Sequence, residues 1–414
     1  MNDRLPSHPV AHLGGFLLLL LALTPTHTKI AGLLWLLACL IAAVIAWRSP
    51  VLASDESVRG ARRWLMACLA TLVLWQSMAM YWEEPCCDHS SDLNAAWRWT
   101  LGAWAGYLLV RRWRGDLALG AVIHHALAAA CLASLALVLM VGRLDLPSYP
   151  IPWSASVGML IMLLFPVALQ TAHGNWMRRW WLTACAAGVA AVLLSQSRGA
   201  YIILGWMVYL WARAARPVLG WQQSMLPLAW AASLMAAIAL SGLLPSDPLR
   251  MREGWNDIAA SWRMADYNTS LGGRFALYRM ASDTVSESPL LGVGARERLS
   301  RIRSLGLDRP EPERSLLAHA RKQGHVHNSY KHHALYGGQI SLVGFVLTIA
   351  GLLYAARALQ NAHQVAALQL QGLAFVHGLT ALSNVNHAHN YYVVMLSLSV
   401  LLAFVLIRCK SAHD

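Results

Sequence analysis

Charge is what this sequence has least of. Only 13% of its 414 residues are Asp, Glu, Lys or Arg, against 57% hydrophobic, a balance that leaves a water-soluble domain short of polar surface. Carboxylates are scarcer than cations, 20 against 33. Essentially none falls inside the long apolar runs, which argues against a proton- or sodium-coupled pump. No Walker-type loop is present to cradle a nucleotide phosphate. The seven cysteines show no CxxC or Cys/His spacing. Cys39, Cys68, Cys131 and Cys185 lie in apolar runs as small hydrophobes, while Cys86 and Cys87 share a loop. There is no internal repeat. No small-residue cleavage pattern follows the first apolar run, which reads as a retained helix and not a removed signal peptide.

What the chain does have is apolar length. A bilayer core of about 30 Å takes roughly 20 residues as a helix, and apolar runs near that length recur at 10–24, 30–47, 64–81, 95–110, 117–141, 153–170, 177–195, 200–215, 224–244, 337–356, 366–383 and 389–407. They do not alternate in polarity, which excludes barrel strands. The expectation is an all-α polytopic membrane protein of about twelve spans. Alternate connections carry Arg48, Arg59, Arg62 and Arg63; Arg111, Arg112 and Arg114; Arg178 and Arg179; Arg213 and Arg216; Arg357; and Arg408 with Lys410. The opposite short connections carry far fewer. The bias puts both termini in the cytoplasm and residues 245–336, the single long connection, outside. Three regions result: residues 1–244 with nine spans, 245–336 as one large periplasmic loop, and 337–414 with three spans and a short tail.

The net charge of +13 is explained largely by this topology and calls for no nucleic acid. The long loop is nevertheless rich in arginine, against the positive-inside trend, and this implies an anionic partner. Within it, Phe275, Tyr278, Ala281, Ser282 and Val285 recur at helical spacing, so a short amphipathic helix is expected to lie on the membrane.

Three polar features fall on the same face. Ser195-Gln196-Ser197-Arg198-Gly199 is a short polar break in which Ser197 is placed to cap the next helix and set its amides beside Arg198, a pair suited to phosphate. An arginine snorkelling at a helix end explains it equally well. Gly272-Gly273-Arg274 puts two glycines where a backbone can approach a ligand, although a solvated loop arginine is the plainer reading. Gly324-His325-Val326-His327-Asn328-Ser329-Tyr330 offers two imidazoles at the water boundary, suited to general-base work. Surface histidines are the plainer reading again, and a metal lacks an evident third ligand. His332 and His333 read as interfacial. Asn384, Asn386, His387, His389 and Asn390 read as a wet turn in preference to a sugar site, and Glu83, Glu84, Asp88 and Asp92 as solvated loop acids in preference to metal ligands.

In order and context these motifs resemble the O-antigen ligase and polymerase superfamily of bacterial envelope glycosyltransferases. Ser195 to Gly199 is similar to its arginine motif, Gly272-Gly273-Arg274 followed by Ser288-Pro289-Leu290-Leu291-Gly292-Val293-Gly294 to its large-loop signature, and His327-Asn328-Ser329-Tyr330 to its histidine motif. Lys331 departs from the apolar residue that usually follows. The resemblance implies a GT-C-like, metal-independent fold in the inner membrane that needs no cofactor. It implies glycan transfer from undecaprenyl pyrophosphate to a hydroxyl of the lipid A core oligosaccharide at the periplasmic leaflet. Arg198 and Arg274 would hold the pyrophosphate and His327 would be the base, with His325 competing. Ser197, Asn328, Tyr330 and Arg279 are the further substrate-binding candidates, and no metal is expected. A single large loop and modest length favour a ligase over a polymerase. A protein O-oligosaccharyltransferase ranks third, because the chain stops soon after its last span, and a lipid-linked oligosaccharide flippase is the rival from another class.

Overall fold

A computed structural model of the chain describes residues 9–23, 28–48, 50–52, 54–83, 90–113, 117–171, 175–212, 250–263 and 266–409. Among the described residues every regular element is helical. They run α1 (Pro9–Leu23), α2 (Thr28–Arg48), α3 (Glu56–Tyr81), α4 (Ser90–Arg112), α5 (Leu117–Val141), α6 (Pro150–Gln170) and α7 (Trp176–Leu194). A 3₁₀ turn at Arg198–Ala200 leads to α8 at 203–212. Then follow α9 (Met251–Arg263), α10 (Ser270–Glu287), α11 (Gly294–Ser304), α12 (Ala318–Arg321), α13 (Ser329–Leu359), α14 (Gln364–Thr380) and α15 (Asn390–Arg408). The helices stand where the apolar runs placed them; the run at 224–244 lies outside the described residues. Six of them, within α2, α3, α5, α6, α13 and α15, are long and apolar enough to cross a membrane.

α6 and α15 are buried along nearly their whole length and form the centre of the bundle. α13 packs along α3 through a glycine stripe repeating every seventh residue. A Cβ on Gly337 would meet Met78, one on Gly344 would lie 2.5 Å from the Trp75 indole nitrogen, and one on Gly351 would lie 2.4 Å from the Cβ of Ala67. Such small residues let helix backbones approach where lipid offers no hydrophobic drive for association. The contact is sealed by polar bonds: Trp75 Nε1 donates to Ser341 O at 2.9 Å and Thr71 Oγ1 to Gly344 O at 2.7 Å. Arginines of alternate connections gather at one end of the bundle. Arg408 pairs with Asp55 at 2.8 Å, Arg112 donates to Ala46 O and Arg63 to Tyr354 O. A part-buried arginine–carboxylate pair and capped carbonyls satisfy helix-end groups there.

At the opposite end, α10 to α12 and the start of α13 enclose a second apolar cluster of Ala276, Leu277, Ala281, Ile302, Leu317, Ala320, Val326 and Leu335. α10 therefore turns Leu277 and Ala281 inward and leaves Phe275 43% exposed; its packed face is not the stripe expected from periodicity. The stronger amphipathic helix is α9, which leaves Trp255, Ile258 and Trp262 exposed at helical spacing. The segment is joined to the bundle by the loop 288–294. Val293 N–H donates to Leu335 O, Gln339 N–H to Pro289 O, and the Trp82 indole to Leu291 O. The docking point is a break in α13, where Gly337 and Gly338 leave helical geometry and Gly338 has φ +59°.

A Cβ on Gly338 would lie 2.2 Å from the Leu290 carbonyl, in backbone that cannot retreat. Gly338→Ala is expected to lower the melting temperature of the detergent-purified protein markedly. The Gly338 φ of +59° and ψ of −151° lie in a region essentially restricted to glycine, which costs a side-chain-bearing residue about 1–3 kcal/mol. Gly205→Ala, with nothing within 4 Å of the added atom, should match or slightly exceed wild type.

Candidate active site

The connection between α14 and α15 gathers the candidate residues. Ser329 N–H donates to Ala381 O at 2.8 Å and Ser329 Oγ to Asn384 O at 3.0 Å. Asn328 Nδ2 donates to Leu382 O at 3.1 Å, and the Tyr278 hydroxyl reaches both Leu382 O and His327 O. These bonds tie the start of α13 and the middle of α10 to one loop. On it, Asn384, Asn386 and His387 are 4%, 1% and 1% exposed. The expected wet turn is a buried polar structure, in which Asn384 and Asn386 are hydrogen-bonded internally while the His387 nitrogens lack hydrogen-bond partners among the described residues.

His327 projects from that junction with φ +53°. Its Nδ1 lies 3.1 Å from Asn384 Oδ1 and its Nε2 2.7 Å from Gln323 Oε1. A neutral imidazole carries one N–H. Both ring nitrogens face amide oxygens, so a neutral ring donates to only one of them. A basic Nε2 requires the Nδ1–H tautomer with the Gln323 amide turned to present its NH2, on the side of the cavity that Gln323 lines with Ser270, Gly273, Arg274, Leu277 and His319. Burial, then repulsion from Arg274, pushes the His327 pKa down to about 4, so the ring is neutral at pH 7 and able to accept a proton. His325 stands behind it. The rings are 4.3 Å apart, His325 Nδ1 accepts the His327 backbone N–H at 3.3 Å, and burial pushes its pKa down to about 2. Geometry thus favours His327 over His325.

Arg274 lines the same cavity, of about 170 Å³. It makes no hydrogen bond or close ion pair among the described residues, and burial, with repulsion from Arg198 and Arg250, lowers its pKa. Arg198 is more constrained: Nη1 donates to Arg250 O at 2.9 Å and Nη2 lies 3.9 Å from Asp257 Oδ2. Two glycines make room for it. A Cβ on Gly254 would fall 1.9 Å from Arg198 Nη1, and one on Gly199 would fall 2.0 Å from Ser383 Oγ. Arg250, paired with Glu253, and Arg143 share this field. The result is a face with four guanidiniums, which selects an anion. Among the described residues the non-glycine positions with positive φ are Glu83, Gln196, Arg250 and His327, and three of the four sit at these site segments. Backbone strain concentrates at sites that need it.

Several candidates also make structural bonds. Ser197 is buried, makes no cap hydrogen bond, and points its hydroxyl at Ser195 O at 3.4 Å. Asn328 caps α13, accepting from Lys331 N–H at 3.0 Å. The Tyr330 hydroxyl donates to Gly378 O at 2.9 Å. Gly272 and Gly273 are helical and buried, and a Cβ on them would meet Ser261, Tyr267 and His319; they admit neighbouring protein, not a ligand. Arg279 lines a separate groove of about 900 Å³ with Tyr267, Trp262, Phe275, Arg301 and Arg309.

His332 and His333, expected at the interface, are 3% and 0% exposed. Asp92, expected in a solvated loop, is 7% exposed; it approaches His387 Nε2 at 3.1 Å, His332 Nε2 at 3.3 Å and His333 Nδ1 at 4.0 Å. Glu84 and Asp88 lie outside the described residues. Sequence reading missed Asn384 as a partner of His327, and Gln323, Arg143 and Arg250 as parts of the site. Only the polarity of the 384–390 stretch hinted at the first.

Residues 183–349 match the family model described as O-antigen ligase. The match contains Arg198, Arg274 and His327 and runs from α7 into α13. No curated protein matches the chain.

The His327 ring should stay neutral as pH falls past about 6.5, where free imidazole titrates, and protonate near about 4. Arg274→Ala removes a neighbouring positive charge and is expected to raise that value. Imidazole NMR titration of the purified chain measures both; titration near 6.5 in wild type would contradict the buried, Arg-facing ring.

Proposed function

We propose that the chain is a ligase of the O-antigen ligase and polymerase superfamily, a reading supported by the family match over residues 183–349. It would transfer a glycan from undecaprenyl pyrophosphate to a hydroxyl of the lipid A core oligosaccharide, at the periplasmic face of a twelve-span inner-membrane protein. The observation that carries the reading is that Arg274 and His327 line one cavity with Arg198 in the same charge field.

The chemistry needs charge on the leaving group and a base on the acceptor. Arg274 and Arg198 bind the pyrophosphate through charge-assisted hydrogen bonds. His327 Nε2 takes the proton of the attacking hydroxyl as the bond from sugar C1 to the acceptor oxygen forms and the bond to the pyrophosphate oxygen breaks with its electron pair. One displacement inverts the anomeric carbon. Asn384 holds the tautomer that this role requires. A cavity of about 170 Å³ fits a pyrophosphate-sized group, so both glycans extend beyond it. The groove beside Arg279, with aromatic walls and the further cations Arg301 and Arg309, suits a phosphorylated sugar acceptor.

The test is an in vitro reaction with lipid-linked glycan, lipid A core and chelator. Wild type is expected to form the conjugate. His327→Ala should reduce the rate about 10²–10⁴-fold, as loss of a general base does. Arg198→Ala and Arg274→Ala should each reduce it about 10²–10³-fold, as loss of a preorganised charge donor does. Elongation of the lipid-linked donor without conjugation would make the protein a polymerase, and lipid movement without transfer would make it a flippase.

Arg279→Glu is expected to raise KM for the lipid A core about tenfold or more, with KM for the donor unchanged, because a charge reversal at a groove wall acts on one substrate alone. Initial-rate kinetics with each substrate varied in turn read the two values separately.

A further inference from the structure

We propose that Asp92, His333 and His387 bind a divalent transition-metal ion of the zinc class, which braces the α14–α15 connection. The three residues come from the start of α4, the start of α13 and the turn before α15. One donor atom from each lies within 4.8 Å of the others, all three residues are buried, and no other such group occurs among the described residues. Two imidazoles and a carboxylate are a ligand set that borderline metals take up.

A second observation is independent of that spacing. His333 Nε2 and His387 Nδ1 are buried with no hydrogen-bond partner, and His387 Nε2, 3.1 Å from Asp92 Oδ1, lacks hydrogen-bond alignment. Unpaired buried nitrogens are rare singly, and one of these, His387 Nε2, is aimed at the Asp92 carboxylate 3.1 Å away. The rings are also held in place without any ion. His333 stacks between Trp75 at 4.4 Å and His387 at 4.7 Å, and His333 Nδ1 contacts Ser341 Oγ at 3.0 Å. Such outer contacts orient imidazole ligands. His332, 3.3 Å from Asp92 Oδ2 and 3.0 Å from Arg298 Nη1, flanks the carboxylate.

The ion would have no step in glycan transfer, since the cluster does not line the cavity of Arg274 and His327. Its effect is on the loop: His387 is three residues from Asn384, the partner of His327. A buried ion exchanges slowly, so transfer in the presence of chelator is compatible with it.

The test uses the full, tag-free chain in detergent, stripped with a strong chelator and dialysed against cobalt(II) or zinc(II). The expected result is about one ion per chain by mass spectrometry, a cobalt visible spectrum without a thiolate charge-transfer band, and a raised melting temperature with zinc. His387→Gln and Asp92→Asn, each confirmed folded by gel filtration, should lose the ion. His124→Gln, a histidine outside the cluster, should keep it. Wild type that binds neither metal and gains no stability would overturn the proposal and leave a polar cluster only. So would binding that both cluster variants retain, or a thiolate band pointing to Cys86 and Cys87. None of these readouts depends on glycan transfer, so failure here leaves the ligase reading untouched.

Discussion

The connection between α14 and α15 carries more of this architecture than any helix does. Its backbone carbonyls at Ala381, Leu382 and Asn384 accept from Ser329, Asn328 and Tyr278, and its Asn384 side chain meets the His327 ring. Buried carbonyls must be paired, and here the partners belong to the start of α13 and to α10. Satisfying the loop therefore fixes where α10 sits against the start of α13 and the bundle. Ser383, against which Gly199 packs, extends the same constraint to the turn of Arg198. Three segments distant in sequence are placed by one stretch of chain.

A second tie keeps that placement from rotating. The loop 288–294 enters the break in α13 and bonds to both sides of it, through Val293 to Leu335 and through Pro289 to Gln339. Gly292 and Gly338 both have positive φ, and a Cβ on either would strike the other segment's backbone at 2.2–2.7 Å. That close approach needs glycine on both partners. The Ser288 to Gly294 motif thus acts as a latch, while Arg274, in the part of the resemblance that precedes it, points into the cavity. Adjacent motifs with one apparent role divide into a structural half and a chemical half.

The helices were legible because bilayer thickness sets one length and the backbone demands one conformation. Arg198, Arg274 and His327 were legible because their neighbours in sequence are distinctive. What stayed hidden depends on pairs far apart in the chain. Asp92 reads as a loop acid until His332, 240 positions away, closes on it. Asn384 reads as a turn residue until His327 does the same. Ser197, Asn328 and Tyr330, expected to bind substrate, also make local structural bonds that their sequence neighbours did not reveal. α9 went unread because its apolar face is broken by Glu253, Asn256 and Asp257, and its period shows only as Trp255, Ile258 and Trp262 once the helix is formed.

The electrostatics then give the site an order of events. Arg274 is partly buried with no close counter-charge among the described residues, and its field, added to burial, holds His327 well below the ordinary imidazole range. A base held so low accepts a proton weakly. An anion placed beside Arg274 removes the repulsion and adds an attraction, and both changes favour the protonated imidazole. The proton affinity of His327 therefore rises when an anionic group occupies the arginine face and falls when it leaves. If His327 is the base and the arginine face holds the leaving group, as proposed, the base would gain strength only while that group is in position, and the coupling would require no movement of the backbone.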